Sequence, residues 1–372
     1  MNTYEQLGVK RYINAAATLT QYGGSVMDAQ VLDAMLVASQ SYVDIDQLQR
    51  RVGERLAQLT RNEAAFVCNG ATSGIVLATA ATIAGDDASA RTRLPFTDGL
   101  RNEVVLPRAG RADYGYAIDL AGGHRVYYGD DAGGTAKELE AAITANTAAI
   151  FLFYYEHRQE HLPQLAEQAA IARAHGIPLL VDAAAQLPPQ ANLWRLTEQG
   201  ADLVLFSGGK GLRGPQSSGL MVGHAGLIER VRAIASPNDG IGRPMKVGKE
   251  EMVGLLTAVE LYTKQDETAV LADYEHQVQV VVEAFRDSDA VEVRRGFPSE
   301  AGQPMPWAVV TPKPGALSTD AKGLAAQLLA GEPGVVVLSR GGSLQINPQT
   351  LLPGQIATVI RCLRGVLDAN RA

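Results

Sequence analysis

The stretch Leu203-Val-Leu-Phe-Ser-Gly-Gly-Lys-Gly-Leu-Arg-Gly-Pro-Gln216 sets one lysine, Lys210, among glycines at the end of an apolar run. An amine in such a place can serve a dinucleotide loop, cradle a nucleotide phosphate, or condense with a carbonyl as a Schiff base. Gly209, Gly211 and Gly214 spell GxGxxG. A dinucleotide fingerprint, however, needs its glycines to open a helix. These run instead into Pro215-Gln-Ser-Ser-Gly219 and a strand-like Leu220-Met-Val-Gly223, so the match is accidental. A Walker-type loop fails as well, because Val204 stands where its first glycine belongs and Gly211 where Ser or Thr must follow the lysine.

A Schiff-base lysine points to pyridoxal 5′-phosphate, and that cofactor makes further demands on the chain. Its pyridine nitrogen needs a carboxylate to stay protonated and absorb carbanion electrons. Asp182 supplies one, at the end of the apolar run Ile177-Pro-Leu-Leu-Val-Asp182, where the carboxyl ends of parallel strands bind ligands. One strand unit, Ala201–Phe206, separates it from Lys210. The phosphate needs a helix N-terminus with small residues. After the run Ala64–Cys68 comes Asn69-Gly-Ala-Thr-Ser-Gly74, so Gly70, Ala71, Thr72 and Ser73 are the candidates, with Ser207 a second phosphate ligand.

A substrate carboxylate calls for a guanidinium fork. Arg340, at the end of a strand-like run and followed by Gly341-Gly-Ser343, fits, although a surface arginine would look the same. Arg243 and Lys246, with Lys249, form a basic loop that either reaches substrate or is simply solvated; Thr20 and Tyr22 either line the pocket or pack. His157 and His161 flank Arg158-Gln-Glu160 with no third ligand at metal spacing, so no metal site is expected. Cys68 and Cys362 lie in apolar patterns and read as packing residues.

On this cofactor a β-hydroxy amino acid would lose water and then ammonia, leaving a keto acid, with Lys210 as base. A substrate without a β leaving group would be racemised or transaminated. Aldol cleavage, a seryl-tRNA reaction and a cofactor-binding protein without catalysis are further alternatives.

To position these groups the chain alternates apolar runs (Ala64–Cys68, Glu103–Leu106, Val126–Tyr128, Ala148–Tyr154, Pro178–Asp182, Ala201–Phe206, Gly219–Val222) with helical patterns (Gln47–Leu59, Thr72–Ala84, Lys137–Ala145, Pro163–His175). That alternation predicts an α/β fold with a mostly parallel sheet covered on both faces, plus a smaller α+β domain. The expected boundaries are an N-terminal arm over 1–45, a large cofactor-binding domain over 46–255 and a small domain over 256–372. The small domain is expected to start with one long helix to Phe285 and to carry a strand over Val335–Arg340. No apolar run reaches the roughly 18 residues of a membrane helix. A net charge of −7 argues against a nucleic-acid surface, and two cysteines without a CxxC suggest a reduced, cytoplasmic protein. Expected partners are a small-molecule substrate and further copies of the chain, with neither nucleic acid nor membrane.

From Ile13 to Leu367 the chain resembles the selenocysteine synthase-like group of fold-type-I pyridoxal phosphate enzymes, and within it the D-glucosaminate-6-phosphate ammonia-lyases. The resemblance is carried by Ile13-Asn-Ala-Ala-Ala-Thr-Leu-Thr20 with Gly23-Gly-Ser25, Phe66–Gly74, Arg101-Asn-Glu-Val-Val105, Val181-Asp-Ala-Ala-Ala185, Phe206-Ser-Gly-Gly-Lys210, Gly214-Pro-Gln216 and Gly240-Ile-Gly-Arg-Pro-Met-Lys-Val-Gly-Lys249. It implies Lys210 as the Schiff-base lysine, Asp182 on the pyridine nitrogen, Gln216 among the cofactor contacts, and a homodimer or larger assembly with active sites at subunit interfaces. It also implies a small amino acid or amino sugar acid, such as D-glucosaminate 6-phosphate, as substrate. Gln21 and Gly110 depart from the Arg and His often found in such enzymes, which leaves recognition of a phosphorylated substrate open.

Overall fold

The computed structural model describes residues 3–110 and 113–372. After a short strand β1 (Tyr12–Asn14), the chain lays down β2 (Ala64–Cys68), β3 (Glu103–Pro107), β4 (His124–Tyr128), β5 (Thr147–Phe153), β6 (Leu179–Asp182), β7 (Leu203–Ser207) and β8 (Gly219–Gly223). These last seven form one sheet in the order β2-β8-β7-β6-β5-β3-β4. Pairing is parallel from β7 through β6, β5 and β3 to β4, whereas β8 runs antiparallel to both neighbours. The apolar runs are nearly continuous because both faces are covered. Val105, Ile150, Leu152, Val181 and Val204 join one buried cluster, and the alternating Val104, Phe151, Leu180, Leu203 and Leu205 join the other.

This sheet belongs to a compact unit of residues 27–265 with 301–303; residues 3–26, 266–300 and 304–372 form a second unit. The expected cuts at 45 and 255 therefore move. Helix Ala29–Ser39 packs against helix Lys249–Lys264 inside the large unit, so closely that a Cβ on Gly254 would meet Met35 Cγ at 2.8 Å. A cut at 255 would split that second helix. The expected long helix to Phe285 is also two helices. The first ends at Lys264, and Asp266 caps Glu267–Ala284, its side chain accepting from Ala269 N at 3.1 Å.

In the second unit β9 (Val291–Gly296), β10 (Trp307–Pro312), β12 (Leu338–Arg340) and β13 (Ser343–Ile346) make an antiparallel sheet, while β11 (Gly334–Val336) pairs in parallel with β1. The strand expected over Val335–Arg340 is thus divided at Val337, where the chain leaves one pairing for the other. That unit's core gathers Val281, Phe285, Ala308, Val310, Leu324, Leu344 and Leu363.

Candidate active site

Asp182 is the last residue of β6 and is buried, with its Oδ1 accepting from Ala184 N at 2.9 Å. Burial pushes its pKa up, the Ala184 hydrogen bond and the positive charge of Lys210 opposing that rise. Lys210 follows β7 in a run of turns, half-buried, with its carbonyl accepting from Arg213 N at 3.0 Å. Burial pulls the Lys210 pKa down while the charge of Asp182 raises it. The two groups therefore lie in each other's electrostatic field at the carboxyl end of neighbouring parallel strands, and desolvation dominates for both.

The glycines around Lys210 are explained by crowding of the loop on its neighbours, not by approach to a nucleotide. A Cβ on Gly209 would meet Gln216 Cα at 2.6 Å, and one on Gly211 would meet the Leu187 carbonyl oxygen at 2.5 Å. The lysine loop is thus pressed between the 215–218 turn and the segment that follows Asp182. Gln186 fixes that segment: buried, it accepts from Glu156 N at 3.3 Å and donates to the Ala301 carbonyl at 2.8 Å.

Across the sheet, Cys68, Gly219 and Ser207 pair in one row at the ends of β2, β8 and β7. Just beyond Cys68 begins helix Gly70–Ala84, which has no side-chain cap. Gly70, Ala71, Thr72 and Ser73 are half-buried, and the helix is buried almost continuously from Gly74. Its first turn thus presents N–H groups that no side chain at Asn69 satisfies, the property an anion site needs. Gly219 is pressed against it, since a Cβ there would lie 2.7 Å from Gly70 C and 3.0 Å from Ala71 N. Asn69 instead donates from Nδ2 to the Lys246 carbonyl at 3.0 Å, so the 240–248 loop is tied beside this turn. Lys246 and Arg243 are exposed on that loop, as is Gln216 on the turn facing Gly209.

The cysteine reading rests on chemistry as well as burial. Cys68 is buried, donates to the Gly70 carbonyl at 3.3 Å, and has its thiol pushed up to about 12 by burial and by the Asp182 charge. It stays protonated and is a poor nucleophile. Among the described residues, no three His, Cys, Asp or Glu side chains gather as a metal set.

Thr20, Tyr22 and Arg340 belong to the second unit. Thr20–Tyr22 forms a single 3-10 turn, with the Tyr22 ring edge-on to Tyr12 at 5.7 Å. Arg340 is exposed at the end of β12, and its charge acts on Glu300, a carboxyl whose pKa burial raises and which accepts from Asn347 Nδ2 at 2.9 Å. Spacing did not single out Gln186, Arg108 or Tyr155, all at the carboxyl end of the large sheet. An arginine directly after an apolar run is a signal that could have flagged Arg108; Gln186 carries none, because its partners are distant in sequence.

A family model described as L-seryl-tRNA selenium transferase matches residues 116–280. D-glucosaminate-6-phosphate ammonia lyase of Salmonella typhimurium is 33% identical over 99% of this chain and 98% of its own. A Streptomyces 5′-C-glycyluridine monooxygenase-decarboxylase is 34% identical over 98% of this chain and 92% of its own. A solved structure of D-glucosaminate-6-phosphate ammonia-lyase superposes with a TM-score of 0.86 at 32% identity, covering 100% of this chain and 99% of that one.

Proposed function

The chain belongs to the L-seryl-tRNA selenium transferase-like family of fold-type-I pyridoxal 5′-phosphate enzymes, and from that membership we propose that it is an ammonia-lyase acting on a small β-hydroxy amino acid or amino sugar acid such as D-glucosaminate 6-phosphate. The observation that carries the reading is the pairing of half-buried Lys210 with buried Asp182 at the carboxyl ends of neighbouring strands, each within the other's field and each disfavoured in its charged form by desolvation.

The residues fit the cofactor. Lys210 Nζ would hold it covalently, Asp182 would face its ring nitrogen, and the uncapped turn Gly70–Ser73 with Ser207 would hold its phosphate, Gln216 adding a contact from the facing turn. When bound, the cofactor withdraws electrons from the substrate Cα and acidifies its proton. Lys210 Nζ, favoured as the free base by burial, would take that proton and return one to the departing β-hydroxyl. The water lost in elimination is regained when the C–N bond hydrolyses. The net change converts R–CH(OH)–CH(NH3+)–COO− into R–CH2–CO–COO− and ammonium. Arg243 and Lys246, exposed on the loop tied to Asn69, would contact the substrate.

We also propose a homo-oligomer in the cytoplasm. Helix Ala29–Ser39 exposes Leu32, Leu36 and Val37, and Tyr42 follows fully exposed, an apolar face that a second copy would cover. No described helix is long and apolar enough to cross a membrane.

The test is to incubate the yellow holoenzyme with D-glucosaminate 6-phosphate, D-glucosaminate and both serine enantiomers and measure keto acid with ammonia. Stoichiometric release of the two supports the lyase. Loss of optical activity without ammonia would instead indicate a racemase, a requirement for an acceptor keto acid an aminotransferase, and aldehyde release an aldolase. Because the Streptomyces relative is a monooxygenase-decarboxylase, dioxygen uptake and carbon dioxide release are followed in parallel; those two together, without ammonia, would overturn the lyase reading.

A further inference from the structure

Two arginines at the carboxyl end of the large sheet take no part in the arrangement above. Arg108 directly follows β3, and its N–H donates to the Tyr128 carbonyl at 2.9 Å, continuing the β3–β4 pairing. Arg158 stands in the 3-10 turn Glu156–His161, five residues past the end of β5. As β3 and β5 are parallel neighbours and β5 lies beside β6, both arginines leave the sheet at the end where Asp182 stands.

Each guanidinium rests on an aromatic face: Arg108 5.4 Å from the Tyr127 ring centre, Arg158 4.9 Å from that of Tyr155. Among the described residues neither has a side-chain hydrogen bond or an ion pair. Acids are not lacking nearby. Arg125 is held at both ends by Asp119, at 2.8 and 2.7 Å. Glu156, two residues before Arg158, is engaged by the Tyr154 hydroxyl at 2.7 Å and by Arg195 at 2.5 Å. A ring face orients a guanidinium while leaving its N–H edge free for a bidentate partner.

Gly110 stands beside Arg158. It has a φ of +71°, and a Cβ there would lie 3.4 Å from Arg158 Nη1 and 3.5 Å from its Cδ. The Arg158 charge is felt locally as well, since burial and that charge lower the pKa of His157.

We propose that Arg108 and Arg158 receive an oxyanion at the far end of the substrate, a phosphate or a second carboxylate. The site is distinct from the turn at Gly70–Ser73. Four strand steps separate β2 from β5 in the sheet order, about 19 Å at ~4.8 Å per step, and the strand of Asp182 lies between. From Asp182 to β5, and to β4 whose Tyr127 carries the Arg108 guanidinium, is one and three steps, about 5–14 Å, a span that a sugar-acid chain and the arginine side chains bridge together. The proposal rests on the lyase reading and deepens it by naming a substrate class: amino acids with a distal anion.

The test compares holoenzyme with Arg158→Ala, Arg158→Lys, Arg108→Ala and, as a control cation paired with Asp86 away from this end of the sheet, Arg230→Ala. Substrates are D-glucosaminate 6-phosphate, D-glucosaminate and 3-hydroxyaspartate, with inorganic phosphate binding measured by calorimetry. Loss of a charge-assisted bidentate contact should lower kcat/KM for the anion-bearing substrates roughly 10–100-fold, mostly through KM, and leave D-glucosaminate within about twofold. Lysine should restore only part of the loss, because it lacks the fork. Preference for the phosphate or for the dicarboxylate decides which oxyanion is meant. An unchanged ratio of anionic to neutral substrate in both alanine variants, with unchanged phosphate affinity, would overturn the site. If the wild-type enzyme turns over none of the substrates, the lyase reading fails alone. The arginines are then judged by phosphate affinity, which must fall at least tenfold in Arg158→Ala and not in Arg230→Ala.

Discussion

At the amino end of the large sheet Asp202 accepts from Leu179 N at 2.7 Å and Glu63 accepts from Ala225 N at 3.0 Å, so that each carboxylate satisfies a backbone donor at the start of a strand or helix. At the carboxyl end the first turn of Gly70–Ala84 has no such acid, Arg108 and Arg158 rest on rings without a carboxylate, and Asp182 and Lys210 are held in a desolvated setting that penalises both charges. The same residue types satisfy backbone donors at one end and are left without such partners at the other. The difference explains why a parallel sheet can carry chemistry on one edge only. The loops after its strands converge on one side, and groups left unsatisfied there can be completed by a bound molecule.

The sharpest way to break this contrast is Lys210→Ala. Removing the amine should abolish the yellow lysine-linked cofactor and cut turnover about a thousandfold or more, while the far-ultraviolet spectrum and melting temperature change little. A borohydride-reducible adduct persisting on another residue would displace Lys210 from its assigned role. Gly211→Ala should rank next. Its Cβ would press on the Leu187 carbonyl, so the lysine loop must shift, and a displacement of that order should cost roughly 10–100-fold in kcat with the cofactor still bound. At the opposite end the effects should separate. Asp202→Ala leaves the Leu179 N–H unpaired and should cost about 1–3 kcal/mol in urea unfolding, with kcat and KM of the remaining folded enzyme unchanged.

The smallest expected effect is a pH dependence. Burial raises the folded-state pKa of Asp202 above its unfolded value, the Leu179 hydrogen bond and the charges of His224 and Arg173 only partly offsetting it. The stabilisation linked to its proton is complete below the ordinary carboxylate range and is lost as pH rises through the raised value. Asp202→Asn keeps an acceptor for Leu179 N without the charge. Its stability relative to wild type should therefore rise with pH across that interval and level off above it. Melting curves taken from acid to neutral pH check this, and a difference that falls with pH would show the carboxylate to be favoured by the fold.

Much of the placement of the candidate site's residues was legible from local chemistry. Asp182 could be placed because a continuous apolar run ending in an acid is a buried strand delivering a carboxylate to its carboxyl end. The Gly70–Ser73 turn could be placed because small residues between an apolar run and a helical pattern mark an open helix start. The strands of the large sheet follow the expected runs closely, shifted by a residue or two at their ends. Less legible were features decided by partners far along the chain. Helix Ala29–Ser39 joins the large unit through its packing on Lys249–Lys264. The run Val335–Arg340 divides because Val336 pairs with Asn14 while Leu338 pairs with Gln345.

By itself, the order of residues determined that an amine and a carboxylate would stand at adjacent strand ends, with an uncapped helix on the same side, because strand direction and helix start are set within a few residues. Only the tertiary structure decided which charges are neutralised and which stay available. Arg158 has Glu156 and Glu160 close in sequence and Arg125 has no acid within four residues, yet it is Arg125 that an acid holds, because a guanidinium is silenced or left open by whatever group the fold brings to it.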